Sequence, residues 1–136
     1  MLTDIDHVAI AVPDLEAAIA WYADTFGATV THREIVERDG VEEALIKAVL
    51  LPVGGSNVEL IAPKGNEGLA KFLEKRGPGI HHVAYRVDDC AAALQAVKAQ
   101  GHQVIDEVPR PGSRGTTVAF VHPKGAFGTL IELVQE

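Results

Sequence analysis

A motif in the middle of the chain reads Gly79-Ile80-His81-His82-Val83-Ala84-Tyr85-Arg86-Val87-Asp88-Asp89. It repeats the pattern of an earlier segment, Asp6-His7-Val8-Ala9-Ile10-Ala11-Val12-Pro13-Asp14. In both copies a histidine opens a short apolar strand, an alanine follows two residues later, and an aspartate follows seven residues later. Each copy also ends in an apolar strand that carries one glutamate, Val58-Glu59-Leu60-Ile61 and Ile131-Glu132-Leu133-Val134. The chain therefore consists of one pattern written twice, and its duplicated polar residues are His, Glu, His and Glu.

Each opening strand is followed by a predicted helix. In the first copy Asp14 is the candidate N-cap and Gly27 is the expected C-terminal stop. Between them lie four residues at helical spacing, Leu15, Ile19, Tyr22 and Phe26. In the second copy Asp88 or Asp89 would cap a helix that ends at Gly101.

Three further strands are predicted in each copy, at residues 29–33, 44–51 and 58–62, and at residues 102–105, 116–121 and 129–134. Two loops are predicted. Residues 34–43 are rich in charged residues, and residues 108–115 are rich in Pro, Gly and Arg. Asn66 can cap a short helix between the copies. We therefore predict an α+β fold of two paired βαβββ modules in one domain, residues 1–136. Module one covers about residues 1–63, the linker helix about 64–78, and module two about 79–136.

Composition excludes several classes of protein. The chain has 136 residues, of which 47% are hydrophobic, so one compact domain with a substantial core is expected. A net charge of −7 argues against nucleic acid as the partner, and no apolar run approaches the roughly 20 residues that a membrane span requires. The single cysteine, Cys90, excludes an intrachain disulfide and fits a reducing compartment. No basic segment typical of a signal peptide opens the chain, so a cytoplasmic location is expected.

The duplication predicts a metal site. If both copies fold alike, the repeated residues His7, Glu59, His82 and Glu132 converge near a pseudo-two-fold axis in a mostly apolar cleft. Buried carboxylates are costly unless they are paired or bound to a metal. Two imidazoles with two carboxylates suit a divalent ion such as Co²⁺, Zn²⁺, Ni²⁺, Mn²⁺ or Fe²⁺, and suit Ca²⁺ poorly.

The alternative is that these four residues have no common role. A lone histidine on an apolar strand is commonly a core residue, and a lone glutamate near a strand end is commonly solvated. Recurrence at matched positions favours the metal site, because Glu59 and Glu132 follow His7 and His82 by 52 and 50 residues.

These features resemble the vicinal oxygen chelate superfamily and, within it, the methylmalonyl-CoA epimerase family. The segments that carry the resemblance are spread in order along nearly the whole chain: residues 6–9, 31–34, 40–44, 79–84, 122–124 and 131–133. The metal quartet alone also fits glyoxalase I. The segment Gly40-Val41-Glu42-Glu43, the doubled histidine and the turn His122-Pro123-Lys124 favour the epimerases. Many epimerases have Gln where this chain has Glu59.

The resemblance implies an activity. It is the epimerisation of (2R)- and (2S)-methylmalonyl-CoA by removal and return of the α-proton through a metal-stabilised enolate. The resemblance assigns the two acid/base carboxylates to Glu43 and Glu132, although the residues themselves give no reason to prefer Glu43 to Glu42. It also implies a divalent ion, with Co²⁺ as the first choice and Zn²⁺, Ni²⁺ and Mn²⁺ as alternatives.

The resemblance also implies an acyl-CoA partner and a homodimer. Arg114 and Lys124, both on predicted loops, are the candidate contacts for the CoA phosphates or the free carboxylate of the substrate. Two other functions stay open: a glyoxalase I-type lyase that acts on a glutathione hemithioacetal, and a non-catalytic module of the same fold that sequesters a ligand.

Overall fold

The computed structural model describes residues 1–37 and 45–136. These two ranges contain eight strands and three α-helices. In chain order they are β1 (Leu2–Ala11), α1 (Leu15–Phe26), β2 (His32–Glu37), β3 (Leu45–Val53), β4 (Ser56–Lys64), α2 (Glu67–Arg76), β5 (Gly79–Val87), α3 (Cys90–Ala99), β6 (Arg110–Pro111), β7 (Thr117–Val121) and β8 (Ile131–Gln135). Single 3₁₀ turns occur at Ser113–Gly115 and Pro123–Gly125. The fold class is α+β, as predicted.

The chain divides into two compact units. One unit combines Met1–Val8 with His82–Glu136, and the other is Ala9–His81. Strand β1 contributes its first part to one unit and its last part to the other. The first eight residues therefore group with the second copy of the repeat. The predicted module boundaries stay predictions.

In the unit Ala9–His81, β2, β3 and β4 form an antiparallel ladder. Helix α1 begins at the predicted cap, where Asp14 Oδ1 accepts a hydrogen bond from the Ala17 backbone N–H at 3.1 Å. It ends at Gly27, whose φ of 67° is the left-handed conformation that glycine adopts without strain. Asn66 caps α2 in the same way. Two apolar clusters hold this unit, centred on Leu69 and on Leu60.

In the other unit, β5 runs parallel to β8, and β8 pairs antiparallel with β7. Helix α3 begins at Cys90, and the N-cap residue before it, Asp89, accepts a hydrogen bond from the Ala92 backbone N–H at 3.0 Å. Its apolar face packs on β7 and β8 in a buried cluster that consists of Val87, Cys90, Ala93, Leu94, Ala119, Val121 and Leu133. On the opposite face of β7 and β8, Val118 and Val134 pack against Ala84 of β5. This second face leads to the candidate site.

Two predictions about strands were wrong. Strand β2 continues to Glu37 through residues that were predicted to be a loop, because Val36 pairs with Ile46 of β3 and packs on the core. Residues 102–105 do not form a strand, and only Val104 makes a bridge, to Val121. The Asp106 carboxylate accepts a hydrogen bond from the Phe120 backbone N–H at 2.7 Å, so a side chain replaces a backbone acceptor beside β7. In the parts of the chain that the structure describes, every helix is too short or too polar to cross a membrane.

Candidate metal centre

Three strands bring together three of the predicted ligands, all within the unit that combines Met1–Val8 with His82–Glu136. His7 lies on β1, His82 on β5 and Glu132 on β8, and all three are buried. The Nε2 atoms of the two histidines are 3.2 Å apart. Glu132 Oε1 lies 3.1 Å from His7 Nε2 and 3.0 Å from His82 Nε2. Three potential donor atoms therefore form a nearly equilateral triangle.

Strand register explains how two of these side chains meet. Glu132 is the partner of Ala84 in the parallel pair of β5 and β8. Since side chains alternate along a strand, His82 lies on the same face as Ala84 and therefore as Glu132. The methyl group of Ala84 is fully buried and small, which leaves room for the carboxylate. Phe120, which pairs with Glu132 from β7, places its ring edge-on to His82 with 5.5 Å between the ring centroids.

Asp6 supports the first histidine. Its carboxylate has no exposed surface, and its Oδ2 lies 2.6 Å from His7 Nδ1. Arg86 donates from Nη2 to Asp6 Oδ1 at 2.9 Å, and Arg114 donates from Nη2 to Asp6 Oδ2 at 2.8 Å. With Nδ1 donating to Asp6, the other ring nitrogen of His7 faces His82 and Glu132.

Two buried carboxyls beside His7, those of Asp6 and Glu132, are both held in the charged form. Burial alone would raise the pKa of Glu132, but the hydrogen bonds from His7 and His82 outweigh it and leave the pKa below its ordinary value. Burial would likewise raise the pKa of Asp6, and hydrogen bonds from His7 and Arg86, with the charge of Arg114, lower it below its ordinary value. Both groups are therefore available as anions at neutral pH.

The triangle fits a divalent metal ion. Atoms about 2.1 Å from a shared ion lie roughly 3.0–3.4 Å apart at octahedral or tetrahedral angles. The observed separations of 3.0, 3.1 and 3.2 Å match this range. Two imidazole nitrogens and one carboxylate oxygen suit Zn²⁺, Co²⁺, Ni²⁺, Mn²⁺ or Fe²⁺. The residues present can therefore hold such an ion.

Two other predicted site residues stay predictions. Glu59 is buried on β4, opposite Leu50 of β3, and belongs to the unit Ala9–His81. Its assignment as the fourth ligand stays a prediction. Glu43, the predicted acid/base residue, lies outside the residues that the structure describes.

The predicted CoA contacts have contrasting surroundings. Arg114 points at Asp6, and only about a fifth of its side chain (21%) is exposed. Lys124 is exposed on the 3₁₀ turn Pro123–Gly125, and its backbone N–H donates to His122 Nδ1 at 3.0 Å. Lys124 therefore has a solvent-facing ammonium that could meet an anion, whereas Arg114 already faces one.

Sequence reasoning missed Asp6, Arg86 and Phe120. Asp6 carried the clearest signal, because it is a charged residue inside an apolar strand and directly precedes a candidate ligand. Strand alternation places Asp6 and His7 on opposite faces, and that rule concealed their contact. Nothing in the sequence marks Arg86 or Phe120 as neighbours of the site.

Comparison with known proteins identifies the family. Residues 6–120 match the glyoxalase/bleomycin resistance protein/dioxygenase superfamily. The chain is also 40% identical to the ethylmalonyl-CoA/methylmalonyl-CoA epimerase of Cereibacter sphaeroides over 138 aligned residues, which cover 99% of each protein. The chain belongs to the methylmalonyl-CoA epimerase family of this superfamily.

Solved structures of the family agree with the fold. The crystal structure of methylmalonyl-CoA epimerase from Mycobacterium tuberculosis is 41% identical, has a TM-score of 0.88, and is matched over 98% of this chain and 88% of that one. A methylmalonyl-CoA epimerase in complex with methylmalonyl-CoA and NH₄⁺ is 34% identical, has a TM-score of 0.91, and is matched over 100% of this chain and 96% of that one. Membership of this family favours the epimerase prediction over the lyase and sequestering alternatives.

Proposed function

We propose that this protein is a metal-dependent epimerase of (2R)- and (2S)-methylmalonyl-CoA. The observation that carries the proposal is the buried Glu132 carboxylate between His7 and His82, in a chain of the epimerase family. A buried carboxylate beside two histidines can serve both to bind a cation and to exchange a proton with a substrate.

The substrate explains why two carboxylates are needed. The α-carbon of methylmalonyl-CoA lies between a thioester and a carboxylate, and inverting it requires proton removal on one face and proton return on the other. Glu132 is the candidate on one face, and Glu43, assigned by the resemblance to the family, is the candidate on the other. Each positioned acid/base group typically contributes about 10²–10⁴-fold to the rate.

The metal site supplies the remaining help. His7, His82 and Glu132, with Glu59 as the proposed fourth ligand, would hold the divalent ion, for which Co²⁺ is our first choice and Zn²⁺, Ni²⁺ and Mn²⁺ are alternatives. When bound, the ion supplies positive charge that stabilises negative charge developing on the substrate's carbonyl oxygens. Phe120 and Ala84 limit the water that can reach this face, since both are buried.

The CoA end requires cationic surface. Lys124 is the proposed contact for a phosphate or for the free carboxylate of the substrate, because its ammonium is exposed near β7. Arg114 contributes to this surface only with the part of its side chain that Asp6 leaves accessible. We also propose a homodimer, by analogy with the family's fold. We propose a cytoplasmic location because a single cysteine fits a reducing compartment.

Proton exchange tests the function directly. The Co²⁺-loaded protein is incubated with methylmalonyl-CoA in D₂O, and loss of the α-proton signal is followed by NMR. We expect exchange of both epimers with the unaltered protein. In Glu43→Gln, with Co²⁺ still bound, we expect a loss of about 10²-fold or more for the epimer whose α-proton faces Glu43. The matched control is Glu42→Gln, which removes the same charge one residue away and should exchange normally.

Three results would contradict the proposal. Absence of exchange in the Co²⁺-loaded protein would exclude the epimerase activity, and turnover of a glutathione hemithioacetal at a higher kcat/KM would favour the lyase. Equal exchange in Glu43→Gln and in the unaltered protein would remove Glu43 from the reaction.

Ethylmalonyl-CoA is a second candidate substrate. The Cereibacter sphaeroides relative is named for both the ethyl and the methyl compounds. The kcat/KM values for the two acyl-CoA esters, measured by the same exchange assay, decide between them. One extra methylene group typically changes the ratio of the two kcat/KM values by about 10–200-fold, so the assay can resolve a preference for either ester.

A further inference from the structure

Asp6 is a buried charge that the proposed proton transfers do not use. It follows an exposed strand segment, yet its side chain has no accessible surface. Its two oxygens accept from His7 Nδ1 at 2.6 Å, Arg86 Nη2 at 2.9 Å and Arg114 Nη2 at 2.8 Å. A fully buried carboxylate with two arginine partners is commonly no more stabilising than apolar residues of the same volume. The network therefore suggests a role beyond stability.

The two arginines come from distant parts of the unit. Arg86 lies on β5, and Arg114 lies in the 3₁₀ turn Ser113–Gly115. Arg114 has a φ of 56°, a left-handed conformation that is unfavourable for a residue with a side chain. Both guanidinium groups also approach Glu136, at 3.5 Å and 3.9 Å. The backbone at Arg114 is thus held in an unfavourable conformation while its side chain faces Asp6.

The contact with His7 fixes a ring. His7 offers Nδ1 to Asp6, and its Nε2 lies 3.1 Å from Glu132 Oε1 and 3.2 Å from His82 Nε2. A histidine ligand that donates its second N–H to a carboxylate has a fixed tautomer and a fixed ring plane. Asp6 has the required geometry, and the arginines fix the Asp6 carboxylate in turn.

We propose that Asp6, held by Arg86 and Arg114, is the positioning residue of the metal centre and sets the affinity of His7 for the ion. This inference rests on the metal site of the proposed function, but not on the identity of the substrate. Removal of such a partner typically costs 10–100-fold in metal affinity. Asp6→Ala should show this loss. Asp6→Asn keeps an acceptor oxygen for the His7 N–H but loses the charge that holds both arginines, so its loss should be smaller but measurable.

The test measures Co²⁺ binding without substrate. Co²⁺ is titrated into the full-length apoprotein, and affinity and ligand geometry are read from the visible d–d absorption of the bound ion. We expect the order unaltered protein, Asp6→Asn, Asp6→Ala, with about 10–100-fold between the first and the last. A changed d–d spectrum in Asp6→Ala should accompany the loss, because the His7 ring is no longer fixed.

Two control variants separate positioning from general destabilisation. Asp4→Ala removes a carboxylate from the same strand that is 56% exposed and 3.8 Å from Arg86, so Co²⁺ affinity should not change. Asp89→Ala removes the N-cap of α3 and should lower the melting temperature with no effect on the Co²⁺ spectrum. If Asp6→Ala does not fold, Asp6→Asn and Arg114→Gln test the same network and should each weaken binding.

Some outcomes overturn the inference. If the folded Asp6 variants bind Co²⁺ with the affinity and spectrum of the unaltered protein, Asp6 does not position His7. If the unaltered protein binds no Co²⁺, both the metal site and this inference fail. If it binds Co²⁺ normally but exchanges no α-proton, only the proposed function fails, and the order of the Asp6 variants still decides the inference.

Discussion

Enlarging Ala84 should damage the metal centre through packing alone. Ala84 is fully buried, pairs with Glu132 across β5 and β8, and lies two residues after His82 on the same strand face. Ala84→Val adds two methyl groups beside the carboxylate. Overpacking of this kind costs about 1–3 kcal/mol. Near this chain length, each kcal/mol lowers the melting temperature by roughly 3–4 °C, so a decrease of about 3–12 °C is expected.

The same strain sets the expected loss of metal affinity. Strain that a displaced Glu132 carboxylate relieves in the apoprotein lowers metal affinity instead of the melting temperature, so 1–3 kcal/mol sets an upper range of about 5–150-fold for the loss of Co²⁺ affinity. Metal coordination tolerates only about ±0.2 Å in ligand distances, so even a small displacement matters. Affinity is measured by competition against a chelator, and stability by thermal unfolding of the apoprotein followed by circular dichroism.

Ala119→Val is the matched control. Ala119 is also fully buried, but it lies on the opposite face of β7, in the cluster that packs on α3. Its melting temperature should fall by a similar amount, while its Co²⁺ affinity should stay within about twofold of the unaltered protein. If both variants lose stability equally and both bind Co²⁺ normally, Ala84 does not face the ligands, and the register argument is refuted.

Three further predictions concern single side chains. Burial raises the pKa of the Cys90 thiol to about 11. At pH 8 this thiol is present as thiolate about 100-fold less than a thiol with a pKa of about 9. Alkylation by iodoacetamide, followed by mass spectrometry, should therefore be at least about 100-fold slower in native than in urea-unfolded protein. Asp14→Ala removes the cap hydrogen bond from the Ala17 N–H and should lower the free energy of unfolding, measured in urea, by about 1 kcal/mol. An unchanged free energy of unfolding would contradict the cap assignment. Lys124→Ala should raise the KM for the acyl-CoA ester by about 2- to 5-fold, because an exposed ion pair contributes about that much to binding. Co²⁺ affinity should not change, and an unchanged KM would remove Lys124 from the CoA site.

Local patterns predicted the elements of the fold well. The candidate caps Asp14, Asn66 and Asp89 are N-caps in the structure, because capping depends on a side chain and a backbone N–H only three residues away. Repetition predicted the site for a related reason. In both copies a histidine lies two residues before an alanine, and this repetition predicts that the two histidines share an environment. In the structure the Nε2 atoms of His7 and His82 are 3.2 Å apart.

Contacts between distant residues were beyond sequence reasoning. Residues 102–105 have a strand-like composition, but the Asp106 carboxylate occupies the Phe120 N–H that a longer ladder would use. The burial of Asp6 depends on arginines 80 and 108 residues away. An isolated charge in a strand is costly to bury, so single-strand reasoning places it in solvent until its partners are known.

The repeat also predicts more symmetry than the chain has. Asp6 precedes the first predicted ligand histidine, whereas His81 precedes the second. The ring of His81 packs edge-on to Phe72 with 5.0 Å between centroids. The second predicted ligand, His82, instead has the edge of Phe120 against its ring. One histidine is thus oriented by a charged hydrogen-bond partner and the other by an aromatic contact. A hydrogen bond to a ring nitrogen fixes the tautomer, whereas an aromatic edge constrains only the ring plane. Substitutions at Asp6 and at Phe120 should therefore change metal affinity through different histidines and to different extents. The duplicated pattern predicts the ligand positions, and the residues beside it that are not duplicated determine how each histidine is held.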